Sequence, residues 1–285
     1  MATFFGEVLS VYSRAVEEDD DDLDDENEDE RIHREIEEKR EVHIAWCPEV
    51  AQSLEGSGSN KLQCSDLIIA VGTNAAGFLS AYVLNTESWD AVGHVSLWNE
   101  RSRGSSRQSI APLPGEPACL FYRHRDNPAV LVCQSTCYIA EDQLFQWTEK
   151  VFGCLQKRGL SVMVLSDSPV AEYKTPDYLY GSAVPFLRSL KSSASKSQAL
   201  CPALEQPNIL TGLPAAVLSH CQVHQIPAVL YQCYTDVISP DSITMETYKP
   251  ALLCLSKLVK LEPCLSADVL RKFAKVTEAQ SNLYT

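Results

Sequence analysis

Gly72-Thr-Asn-Ala-Ala-Gly77 has the spacing of a phosphate-binding loop and lies between an apolar run and a stretch of helical periodicity. A working loop continues with lysine and then serine or threonine, which reach the phosphates and magnesium. Phe78 and Leu79 occupy those places, and Asn74 stands where a dinucleotide fingerprint needs its second glycine. The pattern therefore predicts a tight turn with close strand–helix packing, and no cofactor. His220 and His224 fall four apart on a predicted helix, a spacing that can chelate zinc. Between them, Cys221-Gln-Val223 offers no glutamate base, and the chain has no HExxH and no paired CxxC. Two partly buried histidines are the better reading, and no metal ligand is assigned. Cys133 and Cys137 fall in an apolar stretch that predicts a strand, where i and i+4 share a face two pleats apart. That placement suits packing better than thiol exchange. No Gly-x-Ser-x-Gly elbow occurs, and no catalytic residue is assigned.

One motif survives these tests. Leu283-Tyr284-Thr285 reads hydrophobic residue, tyrosine, any residue, then the carboxylate. With 45% of residues apolar and 11 tyrosines in 285, chance produces such an ending about 2% of the time. A tail of this kind presents a charge, a ring and an apolar plug on a tether, which carboxylate-capturing pockets recognise.

The elements that must position these groups alternate in type. Val42–Trp46 is a predicted strand, and Asp66–Val71, ended by Gly72, has the continuous apolar run of a strand buried on both faces. A helix should follow, capped by Asn74, with Phe78, Leu79 and Tyr82 on one face. Val95–Trp98 is a short strand candidate. Ala118–Tyr122 and Ala129–Ile139 read as an antiparallel pair turning at Asp126-Asn-Pro128. Glu141–Phe152 should be a helix with an acidic first turn, ending at Gly153. Ser161–Leu165 is the next strand, followed by a loop-rich middle to about Gln206 in which Ser192–Ser197 is the stretch expected to be disordered. A helix begins near Pro214, and Pro227–Cys233 is a strand. A helix from Thr244 should bend or restart at Pro250, and Ser266 is placed to cap a last one carrying Leu270 and Phe273. This order predicts an α/β fold: a mixed sheet covered by helices on both faces, in three layers.

Charge is confined to one end. Twelve of the fourteen positions from Glu17 to Glu30 are acidic; with Glu7 and Arg14 they give residues 1–30 a charge of -12, out of -14 overall. Such a block repels itself and has little to bury, so residues 1–38 are expected as a disordered acidic segment. Residues 39–277 then form the folded domain, and 278–285 a flexible docking tail. Arg31–Arg40 alternates in sign and suits a short solvated helix leading into the fold. The remaining chain, at -2, offers no basic face for nucleic acid. No run of 18 apolar residues spans a membrane, and no signal peptide is evident at the start. Eleven cysteines, most in apolar runs, fit a reducing compartment, hence a cytosolic or nuclear protein.

Several stretches, in order along the chain, resemble the proteasome assembly chaperone family. They are Ala2-Thr-Phe-Phe-Gly-Glu7, Leu97-Trp-Asn-Glu100, Cys137-Tyr-Ile-Ala-Glu-Asp-Gln143 and Glu205-Gln-Pro-Asn-Ile209. Leu213-Pro-Ala-Ala-Val-Leu-Ser219, Cys221-Gln-Val223, Cys233-Tyr-Thr-Asp-Val237 and Gln280-Ser-Asn-Leu-Tyr-Thr285 continue the match. It is thinnest in the acidic segment and between Ser166 and Leu200. The resemblance implies a non-catalytic role as an assembly chaperone of the 20S proteasome. It implies a heterodimer with proteasome assembly chaperone 2, a partner of related fold. Together the two would promote α-ring formation from proteasome α subunits and discourage aberrant α-ring dimerisation. For Leu283, Tyr284 and Thr285 it implies insertion between adjacent α subunits, where a lysine meets the carboxylate. Endoplasmic-reticulum association stays open beside the cytosolic and nuclear placement. The competing class is a hydrolase- or phosphorylase-like enzyme on the same kind of sheet, since a fold does not dictate function.

Overall fold

Four short apolar runs, each too hydrophobic to leave a face in water, form the centre of one sheet. They are β2 (Asp66–Val71), β5 (Val130–Ser135), β6 (Ser161–Pro169) and β8 (Ala228–Thr235), all mutually parallel in the order β5-β2-β6-β8. A computed structural model describes residues 22–56, 58, 60–84, 87–97, 118–174, 184–237, 241–255 and 257–258. Contacts divide the chain into Met1–Arg40 and Glu41–Thr285.

In the larger unit, antiparallel strands extend the parallel centre on both sides. On one flank β4 (Cys119–His124), β3 (Trp89–Ser96) and β1 (His43–Trp46) follow β5; on the other, β7 (Phe186–Lys191) pairs with β8. The result is one mixed eight-stranded sheet. Alternation along each central strand divides the core. Leu67, Ile69, Leu131, Cys133, Val162, Val164 and Leu230 point to one face; Ile68, Ala70, Val130, Val132, Leu165, Val229 and Tyr231 point to the other. The first face is covered by α2 (Pro48–Gly56), α4 (Leu144–Gly153) and α5 (Gly212–Val223) through Val50, Trp147, Val151, Phe152, Leu213 and Val217. The second is covered by α3 (Thr73–Tyr82), α6 (Ser242–Thr247) and α7 (Lys249–Leu255) through Phe78, Leu79, Met245, Tyr248 and Ala251. This is the expected three-layer arrangement. Burying a side chain such as Phe78 stabilises by roughly 1.5–3 kcal/mol.

Several local expectations need correction. Asn74 does not cap α3: Gly72 does, and Asn74 sits fully buried in the first turn. Helix α3 is buried nearly all round, because it lies between the sheet and α6, rather than showing one apolar face. Strand β5 ends at Ser135, so Cys137 is not its neighbour in a pleat. Cys133 lies instead 3.8 Å from Cys119 on the adjacent strand, and both thiols are free. The middle stretch contains β7, and Ser192–Ser197 is not disordered. The Ser192 hydroxyl donates to the Ile226 carbonyl at 2.8 Å and accepts from the Ala228 N–H, and the Ser193 N–H donates to Gln222. These bonds strap the end of β7 to α5 and β8.

The smaller unit contains α1 (Asp22–Lys39). Helix therefore reaches back into the acidic block that was expected to be disordered. Residues 28–38 are exposed throughout, and Arg31 pairs with Glu28 one turn away at 3.9 Å. The acidic residues of its first turns suit the positive end of the helix dipole. The strand candidate's Trp98, the Ser266 helix and Leu283–Thr285 lie outside the described residues.

Candidate functional site

At the carboxyl ends of the parallel strands a cleft of about 220 Å³ opens, where ligands commonly bind on open α/β sheets. Its floor is Val71 at the end of β2 and Gly72 after it, Ser135 at the end of β5, Ser166 to Ser168 on β6, and Gln232 and Tyr234 on β8. The start of α5, from Thr211 to Pro214, forms one wall, and exposed Tyr138 and Ile209 supply apolar rim. The polar groups of the floor largely satisfy one another. The Ser166 hydroxyl donates to Gln232, whose amide nitrogen donates to the Ser168 hydroxyl at 2.9 Å. Among the described lining residues, Asp167 and Glu172 are the carboxylates, and there is no lysine, arginine or histidine. The lining offers no cation for a phosphate and no imidazole base beside a hydroxyl.

The Gly72–Gly77 turn shows why its glycines are not those of a nucleotide loop. Gly72 has φ +97°, a conformation that favours glycine, and a Cβ there would come 2.5 Å from Asp167 Oδ1. The Asp167 carboxylate faces the positive end of α3, accepting from the Ala75 N–H and the Asn74 amide, both at 3.4 Å. The anion position of the loop is thus filled by the protein's own side chain. Burial pushes the Asp167 carboxyl above its ordinary range, and the Asn74 and Ala75 bonds partly counter the rise. Gly77 serves packing: a Cβ there would meet Met245 Cε of α6 at 2.5 Å. Asn74 joins the two helices, because its Oδ1 accepts from the Asp241 N–H at 3.0 Å. Asp241 in turn caps α6, its carboxylate accepting from Ile243 and Thr244 N–H at 2.8 and 3.0 Å. Asn74 is therefore the structural centre of this corner, on the evidence of partners 93 and 167 residues away. Nothing local in the sequence reveals them.

The thiols behave as packed hydrophobes. Burial drives the Cys64, Cys221 and Cys233 thiols up to about 12, so their thiolates are scarce at neutral pH. His220 and His224 lie at the carboxyl end of α5 with their ring centroids 4.2 Å apart, but they are not both partly buried as expected: His220 is buried and His224 is exposed. Glu149 of α4 meets them both, a neighbour the sequence spacing does not indicate.

Solved proteins share this architecture. The crystal structure of Pyrococcus furiosus PbaA, described as an archaeal homolog of proteasome-assembly chaperone, superposes with a TM-score of 0.52 at 14% identity. The match covers 84% of this chain and 94% of that one, and it establishes the fold. A family model described as Proteasome assembly chaperone 4 matches residues 1–285, and the chain belongs to the proteasome assembly chaperone family. Within that family its relatives carry the name Proteasome assembly chaperone 1. The Danio rerio protein is 60% identical over 287 residues and the Xenopus tropicalis protein 52% over 288, each covering 100% of both chains. Among the described residues, no helix is long and apolar enough to cross a membrane.

Proposed function

We propose that this chain acts as an assembly chaperone of the 20S proteasome core, in a heterodimer with proteasome assembly chaperone 2. The observation that carries this is the end-to-end similarity to proteins named Proteasome assembly chaperone 1, at 60% and 52% identity. The heterodimer promotes joining of α subunits into a ring and prevents aberrant ring–ring association. It does so by binding, without catalysis. Leu283, Tyr284 and Thr285 dock between α subunits, the ring and apolar plug filling a cleft and the carboxylate meeting a lysine. The free thiols of the described residues suit a reducing cytosolic or nuclear setting.

Co-expression with the partner chaperone, followed by sizing and mass identification of the complexes, tests the pairing. A one-to-one complex that captures α subunits is the expected result. A monodisperse single chain, unchanged by the partner and indifferent to α subunits, overturns it. A melting-temperature screen against nucleotides and nucleosides addresses the enzyme reading, which requires a ligand-dependent rise.

A further inference from the structure

Helices α4 and α5 pack together on one face of the sheet, and three potential ligands converge where they meet. Glu149 comes from α4, His220 from the last turn of α5 and His224 from its C-cap. Glu149 Oε1 lies 3.3 Å from His220 Nδ1 and 3.9 Å from His224 Nε2, and all three ligand atoms lie within 4.8 Å of one another. Tetrahedral zinc with bonds of about 2.0–2.2 Å holds its ligand atoms about 3.3–3.6 Å apart. One pair already has that separation, and small rotations of the exposed side chains bring in the rest. We propose that Glu149, His220 and His224 form a divalent transition-metal site of the zinc class that ties α4 to α5.

The donor set, two imidazoles and one carboxylate, suits zinc, cobalt or nickel rather than calcium or magnesium. His220 is held in place for this role. It is 7% exposed and stacks on Phe152 with centroids 4.5 Å apart and planes at 20°. Its Nδ1 faces the Glu149 carboxylate and is the nitrogen placed to take the ion. The side chains of Glu149 and His224 are 46% and 37% exposed, which gives the ion a path from solvent and leaves a position for water.

The test uses the full chain, free of any histidine tag and stripped of metal, titrated with Co²⁺ and then Zn²⁺. The expected result is one Co²⁺ per chain with visible d–d absorption and no thiolate charge-transfer band. Zn²⁺ should displace it and raise the melting temperature. His224→Ala and Glu149→Gln alter exposed side chains outside the core, and each should weaken binding by about tenfold or more and reduce the Zn²⁺-dependent rise. Absence of stoichiometric binding overturns the proposal. So does a thiolate band, which assigns the ion to cysteines, or a titration that both substitutions leave unchanged.

Discussion

Replacing Asn74 by alanine removes an α3 side chain that bonds both to β6 and to the N-cap residue of α6. Two bonds go: the 3.0 Å acceptance from the Asp241 N–H and the 3.4 Å donation to the Asp167 carboxylate. The first is a neutral bond worth about 1 kcal/mol, and its loss strands the N–H of the residue that caps α6. The second reaches a carboxylate but is long, so about 0.5–1 kcal/mol is appropriate. Asn74 is fully buried and water does not readily replace either partner, so the total is about 2–3 kcal/mol. For a unit of this size that lowers Tm by roughly 4–12 °C. Urea melts of Asn74→Ala, Asp167→Ala and the double variant give the coupling between the two side chains, expected at about 0.5–1 kcal/mol. A single variant within about 0.5 kcal/mol of wild type refutes the joint assigned to Asn74. Zero coupling refutes the Asp167 bond alone.

Asp167, whose carboxyl is raised by burial, favours the folded state most when protonated. Its contribution is fully present below the unfolded-state value of 3.8 and is lost as pH rises through the higher folded-state value. Asp167→Asn should therefore gain stability relative to wild type as pH climbs from 3.8 through that value, and a difference that stays flat counts against the assignment. Deleting residues 1–38 should leave Tm and partner binding nearly unchanged, because the described part of that segment makes a solvated helix; unfolding or loss of the partner places structure there. In the tail, Tyr284→Ala, removal of the last three residues, or one residue added after Thr285 should each weaken α-subunit capture by the heterodimer while sparing its fold. The carboxylate contact alone is worth about 1.5–3 kcal/mol. Equal capture by all variants leaves the folded body as the docking element.

What was legible in the sequence follows from where each segment is buried. Asp66–Val71 was readable because a strand covered on both faces cannot carry polar alternation, and Leu67 to Ala70 are all buried. The antiparallel pairing of β4 with β5 followed from its short turn at Asp126-Asn-Pro128. Strand β7 was hidden: it pairs on the sheet's flank, and Phe-Leu-Arg-Ser-Leu-Lys buries only Leu187 and Ser189 fully. The far end of β6 was missed because Ser166-Asp-Ser168 looks like a turn, whereas its polar groups are answered by Gln232 and by the start of α3. The role of Asn74 and the arrival of Glu149 beside His220 are tertiary facts. In both cases the partner lies 71 residues or more along the chain, beyond any local spacing.

Reconstitution measures action on α rings. Purified α subunits are mixed with the heterodimer, with either chaperone alone, or with neither, and the products are followed by native mass spectrometry. The heterodimer should speed formation of single α rings, carry them as a bound complex and suppress paired rings. Ring formation and ring pairing at the same rate and yield in every mixture would contradict this expectation.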